Sequence, residues 1–253
     1  SIWIEPIMLC NDIGCAVTRI KDLIRQSLWA SGAKGVVVGI SGGLDSAVAA
    51  AVAAKALGPD HVLGVYLPSS ATNSLDQADA AELCAAFGIE LITIPLDGVV
   101  SAAFADPHMT NIPVLCGNYT SRLRMATLYN IAAARGYLVC GTSNRTEYMI
   151  GYSTKWGDAA ADIQPLLHLW KKDVYAVAEE LGVPSSIINK APSAGFWEGQ
   201  SDEDELGITY PDLDAALISL EAHEFVPQTA LEEQVFALIQ KSAHKRISSV
   251  SLL

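Results

Sequence analysis

Gly35-Val36-Val37-Val38-Gly39-Ile40-Ser41-Gly42-Gly43-Leu44-Asp45-Ser46 decides the fold, because a strand, a turn and a helix start meet within it. Residues 35–40 are a continuous β-branched run bounded by glycines, as suits a central parallel strand buried on both faces. Asp45 to Leu57 is alanine-rich, has high helix propensity and stops at Gly58-Pro59. Ser41-Gly42-Gly43 is then the turn between strand and helix. Two glycines let the backbone approach an anion closely. The helix start adds unpaired N–H groups and the positive end of its dipole. Ser41 and Ser46 add hydroxyl donors, and Asp45 is in place to hold a magnesium ion bridging phosphates. The loop has neither the G-K-[ST] of a Walker A site nor the G-x-G-x-x-G of a dinucleotide fingerprint. It reads as a phosphate site of a different kind.

Outward from this stretch the alternation continues. Val62 to Leu67 reads as a second strand, Leu75 to Phe87 as a helix and Leu91 to Ile94 as a third strand. Asn118 to Arg135 is a long helix and Tyr137 to Cys140 a fourth strand. Ahead of the loop, Ile13, Val17, Ile20, Ile24 and Leu28 share one face of an amphipathic helix. The pattern predicts an α/β fold, a doubly wound parallel sheet with helices on both faces. Ligands of such sheets sit at the carboxyl ends of the strands, where strand order reverses. Residues 142–165 are rich in Gly, Ser, Thr and Asp and read as a long functional loop. Lys172 to Leu181 returns to helix, and Gly195 to Gly207 reads as a second loop with an acidic block at Asp202 to Glu205. Helices over roughly 211–220 and 228–243 close the chain. With no internal repeat and no low-complexity linker, residues 1–253 read as one domain.

Composition narrows the class. Of 253 residues, 51% are hydrophobic and 17% charged, which predicts a well-buried core and not disorder. A net charge of −12 argues against a nucleic-acid partner while leaving room for small anions held by local cations. The 5 cysteines show no C-x-x-C pair and no zinc-ligand spacing, so they read as free, mostly buried thiols of a reducing compartment. Ile2 to Leu9 contains Glu5 and Pro6 and lacks a basic lead, unlike a signal peptide. No apolar run reaches the roughly 18–20 residues of a membrane span. These features predict a soluble, cytoplasmic protein with no membrane partner.

Ser41-Gly42-Gly43-Leu44-Asp45-Ser46 resembles the PP-loop of the ATP pyrophosphatase superfamily. Its members split ATP between the α- and β-phosphates, adenylate an oxygen and let a nucleophile displace AMP. Four further segments are similar to those of NAD synthetases. They are Gly117-Asn118-Tyr119-Thr120-Ser121-Arg122-Leu123-Arg124-Met125, Gly141-Thr142-Ser143-Asn144-Arg145-Thr146-Glu147, Gly151 to Asp158 with Asp162, and Pro192 to Ile208. His244-Lys245-Arg246 resembles the family's terminal H-K-R. The chain departs from the pattern at Ala159-Ala160, where glycines are usual, at Leu167-His168-Leu169-Trp170, at Phe196 and after Arg246.

The resemblance implies amidation of deamido-NAD with ammonia at the expense of ATP, giving NAD, AMP and pyrophosphate. It implies ATP contacts at Gly39, Ile40, Ser41, Gly42, Gly43, Leu44, Asp45, Ser46, Thr142, Lys171 and Ser193. It implies deamido-NAD contacts at Arg122, Lys155, Asp162, His244 and Lys245. Mg²⁺ would be held by Asp45 and Glu147, and Asp45, Lys171 and Glu147 would carry the chemistry. Topology independently sets Glu147 near Asp45, because it follows the strand ending at Gly141. Lys155 and Lys171 read as cations in or next to polar loops, and Trp156 and Trp197, by residue type alone, as buried anchors. The acidic run 202–205 is by default a solvated loop, which the resemblance turns into a mobile cover. The chain begins only about 40 residues before the loop, too few for the roughly 250 residues of a glutaminase domain. Free ammonia and a homodimer with the deamido-NAD site at its interface are the corresponding expectations. Other PP-loop ligases, such as tRNA-thiolating enzymes or GMP synthetase, and a nucleotide sensor without turnover are the alternatives. The first lacks its basic RNA face and the last is disfavoured by the intact Asp45, Glu147 and Lys171.

Overall fold

The computed structural model describes residues 12–69, 74–193 and 199–248. The apolar start, Cys10, Phe196 and Trp197 lie outside the described residues. The strands are β1 (Val36–Gly39), β2 (Val62–Tyr66), β3 (Glu90–Thr93) and β4 (Leu138–Cys140). The first helices are α1 (Ile13–Ser31), α2 (Leu44–Leu57), α3 (Ser74–Phe87), α4 (Asp97–Phe104), α5 (Pro113–Arg135) and α6 (Arg145–Ile150). They are followed by α7 (Lys171–Leu181), α8 (Ser185–Ile188), α9 (Asp202–Leu206), α10 (Tyr210–Ala222) and α11 (Ala230–Lys241).

All strand pairs are parallel, in the order β3-β2-β1-β4. Val36 and Val38 face one apolar layer and Val37 the other, all fully buried. Burial on both faces is why the β1 run is unbroken where a half-exposed strand would alternate. One layer joins α1, α2, α3 and α7 to the sheet; the other is built from α4 and α5. α2 is buried nearly all round, and its alanines let the sheet, α1 and α7 close on it without clash. A second apolar cluster joins α6, α10 and α11 around Leu213, Leu217, Leu220 and Val235.

The predicted α/β class and all four strands are present, while several helices differ. α4 and α8 were not expected, and α5 starts at Pro113, not Asn118, because a proline at the first helical turn follows an extended Ile112. α6 and α9 interrupt the two stretches read as loops. Both are single short turns, too brief for a hydrophobic period, and are set by caps. Asn144 Oδ1 accepts from the Glu147 N–H at 2.9 Å, and Ser201 Oγ from the Asp204 N–H at 3.5 Å. Trp156 is no buried anchor: it is 53% exposed and carries φ 61°. Cys84, Cys116 and Cys140 are free thiols, the first and last buried, whereas Cys15 is disulfide-bonded.

Candidate active site

The chain runs from β1 to β2 on one side of the sheet and later returns to β4 on the other. The loops after β1 and β4 therefore diverge at their carboxyl ends and leave a crevice. A cleft of about 880 Å³ opens there, lined by residues from both loops, from α5 and from the start of α7.

The phosphate loop is held in shape by its own hydrogen bonds. The Ser41 N–H donates to Ser46 Oγ at 3.1 Å, and the Gly43 N–H donates to Ser41 Oγ at 3.2 Å. Ser46 Oγ in turn donates to the Gly43 carbonyl at 3.0 Å. Gly42 has φ 83°, and a Cβ there would lie 2.6 Å from the Asp76 carbonyl oxygen. Glycine is thus required twice, by torsion and by the close pass of α3.

Beside the loop, Lys171 Nζ donates to Asp45 Oδ2 at 2.5 Å and to Glu147 Oε1 at 3.4 Å. The lysine was expected next to a polar loop, yet its side chain is 3% exposed as the first residue of α7. Burial opposes its charge, and Asp45 and Glu147 outweigh that effect, so the ammonium is held above the ordinary lysine range. Burial first, and then the charge of Asp45, pushes the Glu147 carboxyl up. Asn144 Nδ2 donates to Asp45 Oδ1 at 2.8 Å, so one residue caps α6 and orients the first acid.

Buried polar groups fix this cluster from behind. Thr146 Oγ1 donates to Asp214 Oδ1 at 2.5 Å and accepts from the Lys171 N–H at 2.9 Å. Asp214 Oδ2 accepts from the Lys172 N–H at 2.9 Å, which pins the start of α7 to α10. The Tyr210 ring lies 4.9 Å from Lys171 Nζ, and its hydroxyl donates to Asp202 at 3.0 Å. Tyr152 donates to the same carboxylate at 3.1 Å and to Glu205 at 2.8 Å. Asp202, read as part of a solvated loop, is only 4% exposed.

Residues 39–46 apart from the buried Gly42, with Thr142, Lys171 and Ser193, line the cleft as one set. The residues expected to meet deamido-NAD divide. Lys245 lines the cleft and donates to the carbonyls of Gly151 at 2.8 Å and Ser153 at 2.6 Å. Arg122, Lys155 and His244 form a chain of contacts outside it: Arg122 Nε donates to the Lys155 carbonyl at 3.1 Å, and Lys155 Nζ to the His244 carbonyl at 2.6 Å. Asp162 sits apart at the sheet edge, accepting from the Val139 N–H at 2.8 Å and from Tyr129 at 3.4 Å. Arg246 donates to the Tyr148 and Met149 carbonyls and so closes the end of α6. Asn144, Tyr210, Asp202 and Asp214 escaped the sequence reading as site residues. Only Asn144 carried a local signal, a capping side chain just after a strand end.

Asp45 and Glu147 fit a magnesium site. Two carboxylates around one cation, at the edge of a phosphate loop, suit an ion that takes its other ligands from phosphate oxygens and water.

A parallel sheet whose switch point carries this loop, flanked by a carboxylate–lysine–carboxylate cluster, defines a nucleotide-activating enzyme of the PP-loop fold. The chain belongs to the NAD synthase family, whose model matches residues 16–249. It is 46% identical over 245 residues to an NH(3)-dependent NAD(+) synthetase of Methanoregula boonei, covering 97% of this chain and 99% of that one. A relative of the same name from Thermococcus sibiricus is 42% identical over 244 residues, covering 93% and 95%. Among solved structures, the NMN synthetase of Francisella tularensis superposes with a TM-score of 0.88 at 37% identity, covering 96% of this chain and 99% of that one. The NH3-dependent NAD synthetase of Campylobacter jejuni, solved with a nitrate ion, gives 0.83 at 29% identity, covering 96% and 100%.

Proposed function

We propose that the chain amidates deamido-NAD with ammonia through an adenylated carboxylate, consuming ATP and giving NAD, AMP and pyrophosphate. The observation that carries this reading is the convergence of the phosphate loop and the Asp45–Lys171–Glu147 cluster on one cleft. The loop N–H groups and the start of α2 bind the polyphosphate. Lys171, fixed by Thr146 and Tyr210, faces the charge that builds up as the nicotinate carboxylate meets the α-phosphate. Mg²⁺ at Asp45 and Glu147 would neutralise phosphate charge. Asp202, tied to Tyr152 and Tyr210, limits the access of water to the activated carboxylate.

In this reading Arg122, Lys155, Asp162, His244 and Lys245 meet deamido-NAD. Three of them cluster on the surface outside the single-chain cleft, which supports a homodimer whose second subunit completes that pocket. Among the described residues no helix is long and apolar enough to cross a membrane. The net charge of −12 favours small anionic substrates over nucleic acid, and the setting we assign is the cytoplasm. The nitrogen source in this reading is free ammonia.

A second reading has a specific support, the 37% identity to the NMN synthetase of Francisella tularensis. There the carboxylate acceptor is the mononucleotide and the same cleft performs the same chemistry. One assay separates them: ATP, Mg²⁺ and ammonium are mixed with deamido-NAD or with nicotinate mononucleotide, and amide product and pyrophosphate are followed. Faster turnover of deamido-NAD is expected; preference for the mononucleotide supports the second reading, and neither product rules out both. Glutamine in place of ammonium is expected to give no turnover.

A further inference from the structure

A second charged cluster meets the phosphate loop at Gly42. Lys190, just past α8, donates from Nζ to Asp76 Oδ1 at 2.6 Å and to Asp79 Oδ2 at 2.5 Å, both on α3. Its third contact is the Gly42 carbonyl, at 3.3 Å, inside the phosphate loop itself. An ammonium has three donors, so these contacts engage all of them.

The cluster is open to a ligand. Lys190 and Asp76 line the cleft, with side chains 25% and 19% exposed. Among the described residues, the cations lining the cleft are Arg124, Lys171, Lys190 and Lys245. Lys171 is committed to Asp45 and Glu147, and Lys245 to two carbonyls of the 151–153 turn. Arg124 Nε donates to the Leu67 carbonyl at 3.0 Å, beyond β2. Lys190 is hydrogen-bonded to the backbone of the phosphate loop. Two carboxylates against one ammonium place negative charge beside a loop shaped for polyphosphate, which the Arg124 guanidinium near Asp76 offsets only in part. What remains repels phosphate unless the cation turns toward it.

We propose that Lys190 is a second phosphate-binding cation, which shifts part of its hydrogen bonding from Asp76 and Asp79 to the β- and γ-phosphates of ATP. This rests on ATP occupying the loop. The Asp45–Lys171 side then faces the α-phosphate, where bond exchange occurs, and Lys190 holds the portion that departs as pyrophosphate. Nucleotides are thereby sorted by the length of the phosphate chain.

The test is calorimetric titration of wild type, Lys190→Met and Lys190→Arg with ATP, AMP and pyrophosphate. Lys190→Met is expected to weaken ATP and pyrophosphate by about tenfold or more while changing AMP by less than about twofold. Lys190→Arg keeps the charge and the aspartate contacts and is expected to recover most of the loss. Unchanged ATP affinity in Lys190→Met makes the residue a structural tie and overturns the proposal. So does an equal loss of ATP and AMP, which reports general damage to the cleft. Wild-type protein that binds neither ATP nor pyrophosphate overturns the ATP reading of the loop instead, and that result needs no variant.

Discussion

Asp45 and Glu147 share one ammonium, so each acid helps to keep Lys171 charged in a nearly dry site. Asp45→Ala removes a carboxylate on the rim of the cleft and takes from the buried Lys171 one of its two counter-charges. Turnover is expected to fall by about 100-fold or more, with a lower melting temperature that Asp45→Asn should partly restore. A near-normal rate in steady-state assays would show that Asp45 is not a metal ligand. Burial also sets the thiols apart. It pushes the Cys84 thiol up to about 11 and the Cys140 thiol up to about 12, so both stay protonated at neutral pH. A thiol reagent at pH 8 should leave these two unlabelled in the folded protein and label them in denaturant, as peptide mass spectrometry can follow. Labelling of either in the native state contradicts their burial. At this scale the sequence was informative for Asp45, because the acid follows a glycine turn after a strand. It was silent on the burial of Lys171, since nothing local distinguishes a buried ion-paired lysine from a surface one.

α6 and α7 carry Glu147 and Lys171, and the Thr146 hydroxyl ties the start of α7 to both α6 and α10. Thr146→Val keeps the shape but leaves the buried Asp214 carboxylate short of a donor and the Lys171 N–H without its acceptor. The expected cost is about 1–3 kcal/mol in denaturant titration, together with a fall in turnover, and Thr146→Ser should restore both. Equal stability of the valine variant would mean that the joint is held by packing alone. Long elements such as α1, α2 and β1 were legible because periodicity accumulates along them. α6 and α9 were not, since each is short and stabilised by caps and by partners far along the chain: Arg145 pairs with Glu221, Tyr152 with Asp202, and Arg246 closes the end of α6.

At the scale of the whole molecule, the start of α5 and the neighbouring α4 expose Val99, Ile112, Val114 and Leu115, from 43% to 53% each. Exposed apolar side chains of this kind would suit the two-fold interface of a dimer. Sedimentation or light scattering should give twice the chain mass, and Leu115→Lys should shift the protein toward monomer. A monomeric wild type would remove the homodimer from the proposed function. The cluster of α6, α10 and α11 is apolar in its own right and meets the main body through α7.

By itself the sequence determined the α/β class, the strand–turn–helix phosphate loop and Asp45 at its edge. Each depends on residues within one turn or one strand, where torsional freedom, β-branching and helix propensity act locally. The tertiary structure alone decided what lies across the crevice. Strand order brought Asn144 and Glu147 to Asp45, and burial turned Lys171 into a fixed counter-charge. It also brought Lys190 from 148 positions away onto the Gly42 carbonyl. Contacts made through space at such separations are set by packing of the whole chain, and no local pattern of residues encodes them.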